Sequence, residues 1–311
     1  MDGEIIKLGE LTEPEILCVG EVKLWWAVVY ALVRRRCRRH LRRRALISSV
    51  PPASAVLRRE RMSPAPLGRR ALLSRAFLCY TSLARSSDLP NRIALPALRD
   101  GDKRLYLVRH GETDWNVDDR IQGRTDNPLN ANGLNQAERL SAFLSDEPLE
   151  MITSSDLLRA AKTADAVACA HASAHRLPGL SQVSEMCFGD CEGLKLGEFK
   201  PTYNAYVAAW RAGEDRAWPG PGGESPKQVA ERGVEGLQTL GLLPGGPSSR
   251  SERHVCVVAH GRFNKILIAH LQGDVTRASD LTQGNTAINV LDFAPDGRVE
   301  VVRLNERGHL T

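Results

Sequence analysis

LYLVRHGETDWN, residues 105–116, changes character abruptly. Leu105 to Val108 form a continuous apolar run, the pattern of a strand buried on both faces. The run stops at Arg109-His110-Gly111, and a polar cluster follows. The same form returns in VCVVAHGR, residues 255–262: an apolar strand, then His260-Gly261. Open α/β sheets bind ligands beyond the carboxyl ends of their strands. His110 and His260 therefore face one crevice if their strands are neighbours. The two glycines allow a tight turn and let backbone N–H groups approach an anion.

Outward from these strands, the chain alternates between helical and extended patterns. GLNQAERLSAFL (133–144) places Leu134, Ala137, Leu140 and Leu144 on one helical face. LEMITSS (149–155) reads as a strand, and DLLRAAKTADAVACA (156–170) as a helix capped by Ser154 or Ser155. ESPKQVAERGVEGLQTL (224–240) opens with Ser225, Pro226 and Gln228, a capping box with proline at the first helical position. PGGPSSRSER (244–253) reads as a flexible loop. HVCVVA (254–259) is a strand, and RFNKILIAHLQG (262–273) a helix closed by Gly273. AINVLDF and RVEVVRL (287–293 and 298–304) form a hairpin around Pro295-Asp296-Gly297. This alternation predicts an α/β fold over residues 101–311: a three-layer sandwich with a mainly parallel sheet flanked by helices on both faces.

Residues 1–100 read differently. The net charge of +5 conceals an asymmetry: residues 1–103 hold 20 Lys+Arg against 10 Asp+Glu, and the remainder 22 against 27. Glu60 is the only acid from Lys23 to Ser87, and prolines and serines interrupt any helical period. Such a segment is expected to be a basic, largely disordered extension. LWWAVVYALV (24–33) is too short for a membrane span, which needs roughly 20 apolar residues. MSPAPLGRRALLSRAFLCYTSLARSS (62–87) has the acid-free, Ser- and Arg-rich composition of an organellar transit peptide. The expectation is a working start at Met62, a presequence to about residue 95, and a plastid or mitochondrial location, with the cytoplasm as the alternative. A basic arm that binds nucleic acid or anionic lipid is the competing reading; no nucleic-acid motif accompanies it. The seven cysteines are odd in number and contain no C-x-x-C pair. They point to a reducing compartment, with Cys187 and Cys191 as ordinary thiols.

The neighbours of the two histidines suggest what the crevice holds. A zinc site would need a third ligand, for which Asp114 is available, and would not welcome Arg109. A phosphoryl group fits better. An arginine fork matches phosphate oxygens and stays charged. Arg159 sits at the start of a helix that follows another strand, where anions are favoured. Two arginines and two histidines converging on one pocket call for a dianion to neutralise them.

RHGETDWN, IQGRTDNPLN (121–130), SSDLLRA (154–160), E-x-x-F-G-x-x-E-G (185–193), PGGES (221–225) and VVAHG (257–261) occur in an order that resembles the histidine phosphatase superfamily, the group of phosphoglycerate mutases and their phosphatase relatives. The resemblance covers about residues 104–305. It implies that His110 is the nucleophile and that Arg109, Arg159 and His260 stabilise the charge on phosphorus oxygens. It implies a further hydrogen bond from Asn116, a substrate border at Gln122-Gly123, and Glu185 as the acid for the leaving group, with Glu112 and Glu192 as substitutes. It implies no metal and no organic cofactor. Cys191 stands where relatives often carry an aromatic, and Arg262 follows the His260-Gly261 pair; whether Arg262 reaches substrate is left open by the sequence.

The resulting expectation is hydrolysis of a small phosphomonoester through a phosphohistidine. A phosphoglycerate mutase is the alternative, but Gly193 to Pro221 offers only Lys195, Lys200, Arg211 and Arg216, with no basic insertion for a second phosphate. A catalytically idle scaffold, with the basic arm making the contacts, is the non-enzyme reading. No partner beyond the small phosphorylated metabolite is implied.

Overall fold

The computed structural model describes residues 95–246 and 251–311. The extension, the transit-peptide segment and the centre of the 244–253 loop lie outside the described residues. The sheet has six strands: β1 (Lys103–Arg109), β2 (Met151–Ser154), β3 (His175–Arg176), β4 (His254–Ala259), β5 (Ile288–Phe293) and β6 (Val299–Glu306), in the order β3-β2-β4-β1-β5-β6. The pairs β3–β2, β2–β4 and β4–β1 are parallel, and β5 pairs antiparallel with both β1 and β6. The helices are α1 (Asp114–Val117), α2 (Ala131–Leu144), α3 (Leu158–Ala170), α4 (Leu196–Arg211), α5 (Pro226–Thr239) and α6 (Gly261–Leu271).

Alternation along the strands builds two cores. Tyr106, Val108, Ile152, Cys256 and Val258 meet α2 and α3 through Leu140, Leu144, Ala160, Ala164 and Val167. Leu105, Leu107, Met151, Val255 and Val257 meet α5 and α6 through Val229, Leu237, Phe263, Ile266 and Leu267. The predicted sandwich is therefore present. A bidentate pair, Arg104 Nε and Nη2 donating to the two Asp292 oxygens at 2.7 Å, ties β1 to β5.

Most predicted elements appear within two residues of their expected bounds. The Ser225–Gln228 capping box forms, and Gly273 follows α6 with φ of +89°. Three readings need correction. Leu134 is 51% exposed, because the buried stripe of α2 runs through Gly133, Gln136, Ala137, Leu140 and Leu144. Helix α3 starts at Leu158 with Leu157 as its N-cap, not at a serine. Asp126 Oδ1 accepts from the Leu158 N–H at 2.7 Å, so a distant carboxylate serves the first turn. Gly111 is not needed for a left-handed turn; a Cβ there would lie 2.5 Å from the Gly133 carbonyl oxygen. Gly133 is as tightly held, since its Cβ would fall 2.0 Å from the Glu112 carbonyl oxygen. The start of α2 thus packs backbone to backbone on the loop that carries His110. Gly133→Ala is expected to lower the unfolding free energy by about 1–3 kcal/mol through overpacking, measured by urea denaturation.

Candidate active site

Adjacent parallel strands bring three carboxyl ends together. His110 follows β1, His260 follows β4 and Ser155 follows β2. Arg109 pairs with Ala259 in register, and the His110 N–H donates to the Ala259 carbonyl at 3.0 Å. The imidazole centroids of His110 and His260 lie 5.1 Å apart at 56°. A cavity of about 340 Å³ opens over these ends, lined by Arg109, His110, Asn116, Gln122, Gly123, Arg159, Glu185 and Gly261 among others. Of the residues expected at the site, only His260 does not reach the cavity surface; it is fully buried behind His110.

A hydrogen bond fixes how the His110 ring presents itself. His110 Nδ1 lies 2.6 Å from the Gly111 carbonyl oxygen. A carbonyl only accepts, so Nδ1 carries the proton and Nε2 keeps its lone pair. Ser155 Oγ accepts from the Leu157 N–H at 3.1 Å and lies 2.7 Å from His260 Nε2. His260 Nδ1 is buried with no protein partner. Burial, with Arg159 and Arg109 next in effect on His110, holds both imidazoles well below their ordinary value. Both rings are therefore neutral at pH 7, and His110 Nε2 carries an unprotonated lone pair.

The arginines are aimed by carbonyls rather than carboxylates. Arg159 is fully buried and donates to the Gly123 and Thr125 carbonyls at 2.8 Å each. Burial lowers its guanidinium to about 10. Arg109 donates to the Gln283 carbonyl at 2.7 Å, and a Cβ on Gly261 would stand 3.2 Å from its Nε. Nε of both arginines is buried without a protein acceptor. Buried cations that are not neutralised by the protein are costly. With His260 Nδ1, likewise buried and without a protein partner, they are suited to an anion.

Glu185 is 8% exposed, and its oxygens accept from the Met186, Arg262 and Phe263 N–H groups at 2.9, 3.1 and 2.8 Å. The start of α6 thus holds this carboxylate at the cavity wall. The substitutes do not stand there. Glu112 accepts from Asn130 Nδ2, and Glu192 accepts from Arg124 N, Thr125 N and Thr125 Oγ1. Glu192 instead shapes the 121–125 loop, and a Cβ on Gly123 would collide with it at 1.9 Å. Asn116 Oδ1 accepts from Thr113 and Asn285, which leaves its amide hydrogens for the cavity. Gln122 Oε1 accepts from Thr113 Oγ1 at 3.0 Å.

Asp114 is exposed and does not line the cavity, so the alternative metal site lacks its third ligand. Among the described residues no group of three His, Cys, Asp or Glu could hold a metal ion, and no helix is long and apolar enough to cross a membrane. Cys191 is buried in the core rather than on the cavity wall, where Phe188 stands, and both Cys187 and Cys191 are free thiols. Sequence reasoning missed Thr113, Ser155, Thr163, Gln283 and Asn285. Thr163 Oγ1 accepts from the Gly111 N–H, and Asn285 Nδ2 donates to the His110 carbonyl.

The model of the histidine phosphatase superfamily (branch 1) matches residues 105–307, and the chain belongs to this family. It is similar to the uncharacterized phosphatase PhoE of Bacillus subtilis, 29% identical over 211 residues, 67% of this chain and 96% of that one. The solved structure of a mycobacterial glucosyl-3-phosphoglycerate phosphatase complexed with VO3 is similar with a TM-score of 0.56 and 31% identity, covering 66% of this chain and 100% of that one. A phosphoserine phosphatase mutant from Entamoeba histolytica, in complex with phosphoserine, gives 0.56 and 28%, covering 67% and 99%.

Burial and neighbouring cations disfavour imidazolium, so the neutral rings persist as pH falls. Imidazole NMR is expected to give midpoints for His110 and His260 well below 6.5, with His110 protonated on Nδ1 at neutral pH. A midpoint at or above that value would contradict the neutral pair.

Proposed function

We propose that this chain hydrolyses a small phosphomonoester in two steps through a phosphohistidine. The observation that carries the reading is the His110 Nδ1–Gly111 carbonyl bond, which frees Nε2 between Arg109 and Arg159. In the first step Nε2 attacks phosphorus, the N–P bond forms and the ester P–O bond breaks. Glu185 gives its proton to the departing oxygen. Arg109, Arg159 and His260 bear the charge on the equatorial oxygens, the contribution phosphoryl transfer chiefly needs. In the second step Glu185 takes a proton from water, which attacks phosphorus and breaks the N–P bond. The family, the relatives named as phosphatases and a cavity of about 340 Å³ support a compact phosphorylated metabolite as substrate.

Hydrolysis is favoured over mutase activity by the segment after the acid. Arg211 pairs with Asp280, Arg216 stacks over Tyr206, and Lys195 and Lys200 are exposed. None of the four lines the cavity. The idle-scaffold reading has no use for a full complement of oriented donors around a free imidazole nitrogen. The organellar address suggested by residues 62–87 rests on composition, and N-terminal sequencing of the native protein tests it.

Purified protein is expected to hydrolyse a generic aryl phosphate, and His110→Ala to abolish this; activity that survives the substitution refutes the mechanism. Quenched wild-type protein should carry acid-labile, base-stable phosphate. Glu185→Gln should lower kcat by about 10²–10⁴ on an alkyl ester and by less on an aryl ester, whose leaving group needs less proton help. With 3-phosphoglycerate, free phosphate should appear whether or not 2,3-bisphosphoglycerate is added; 2-phosphoglycerate as the main product would mark a mutase.

A further inference from the structure

Glu185 stands on a stretch with little of its own to hold it. Residues 184–188 belong to no helix or strand, so no backbone ladder fixes the carboxyl group at the cavity wall. An irregular segment of this kind opens locally unless its backbone finds partners. Here one side chain supplies most of them. Arg232, on α5, donates through every N–H of its guanidinium. Nη1 reaches the Gln182 and Ser184 carbonyls at 2.9 and 2.7 Å, and Nη2 reaches the Glu185 carbonyl at 3.1 Å. Nε and the second hydrogen of Nη2 go to the two oxygens of Glu224 at 2.7 and 3.0 Å.

Glu224 completes the clamp. Its Oε2 accepts from the Cys187 N–H at 2.7 Å, and its own N–H donates to the Cys187 carbonyl at 3.0 Å. The pair thus grips the chain at 182, 184, 185 and 187, on both sides of the Glu185 side chain. Burial would raise the Glu224 carboxyl, but Arg232, the Cys187 N–H and Arg124 bring it below its ordinary value. The support beneath is firm. The Ser225 capping box starts α5, and Val229, Ala230 and Leu237 anchor that helix in the core. The Arg232 guanidinium carbon also lies 5.3 Å from the centroid of Phe263, whose N–H donates to Glu185 Oε1. A salt bridge serving stability alone would need only the donors that face Glu224. The other three converge on the segment that carries the acid, where a small displacement is costly to proton transfer.

We propose that Arg232, braced by Glu224, is a positioning residue that sets Glu185 for proton transfer to the leaving oxygen. This rests on the phosphatase reading with Glu185 as the acid, and the test separates the two. The quantity measured is kcat/KM for an alkyl phosphate and for an aryl phosphate. It stops at phosphoenzyme formation, before the step both esters share, and the alkyl leaving group needs the proton more. Arg232→Met is expected to lower the alkyl-to-aryl ratio at least about tenfold, part of what general-acid catalysis supplies. In a Glu185→Gln background the same substitution should move the ratio by less than about twofold, because the group it positions has gone. Arg232→Lys should not restore the ratio, since an ammonium cannot span three carbonyls and a carboxylate. Glu224→Gln keeps an acceptor for the Cys187 N–H and should lower the ratio in the same direction; it decides the matter if urea denaturation shows Arg232→Met to be unfolded. An unmoved ratio in the deciding variant, or the same fall with and without Glu185, overturns the positioning role. Glu185→Gln alone should also lower the ratio. A fall there with none for Arg232→Met overturns the positioning role by itself, whereas no fall there overturns Glu185 as the acid and the positioning role with it.

Discussion

The parallel pairing of β1 with β4 is the constraint on which everything else rests. It sets Val108 beside Val258 and Arg109 beside Ala259. One residue further on, both chains leave the ladder as histidines. A register slip of one residue would send Arg109 and His110 to opposite sides of the sheet from their present ones. The two apolar cores, packed on alternate residues of these same strands, oppose such a slip. Core packing and site geometry are therefore enforced by the same alternation.

Around this pair the protein arranges polar groups in an unusual proportion. The cations are oriented by backbone carbonyls, and Glu185 by backbone N–H groups. Such partners fix direction without cancelling charge. A guanidinium neutralised by a carboxylate would be more comfortable in the fold and weaker towards an anion. Arg104 shows the contrast within the same strand: it is paired in full with Asp292 and serves the sheet.

Much of this was legible in the sequence, for identifiable reasons. The apolar runs 105–108 and 255–259 and the repeated His-Gly ending are local signals, as is the Ser225–Gln228 box. Leu134 misled because a helix of mixed composition offers two plausible stripes, and only the close approach of Gly133 to Glu112 fixes the phase. The start of α3 depended on Asp126, which the local pattern does not include. The supporting polar residues were invisible for the same reason. Asn285 reaches His110, and Thr163 reaches Gly111, only after the sheet is assembled. Helix α4 has no side-chain cap, contains Pro201, and buries only Tyr206 and Trp210, so it carried no periodic signal strong enough to read.

That weakly specified helix has a consequence of its own. The two histidines hang from strand ends at the centre of the sheet, whereas α4 and Trp218 form an aromatic wall that touches the cavity from outside, with Tyr206 stacked on Trp218 at 4.2 Å. Tyr203 of this wall is both a lining residue and the platform under Arg262. Recognition and chemistry are thus carried by separable parts. Residues of α4 can be exchanged to redirect the enzyme towards a different metabolite without disturbing the strands that deliver its histidines.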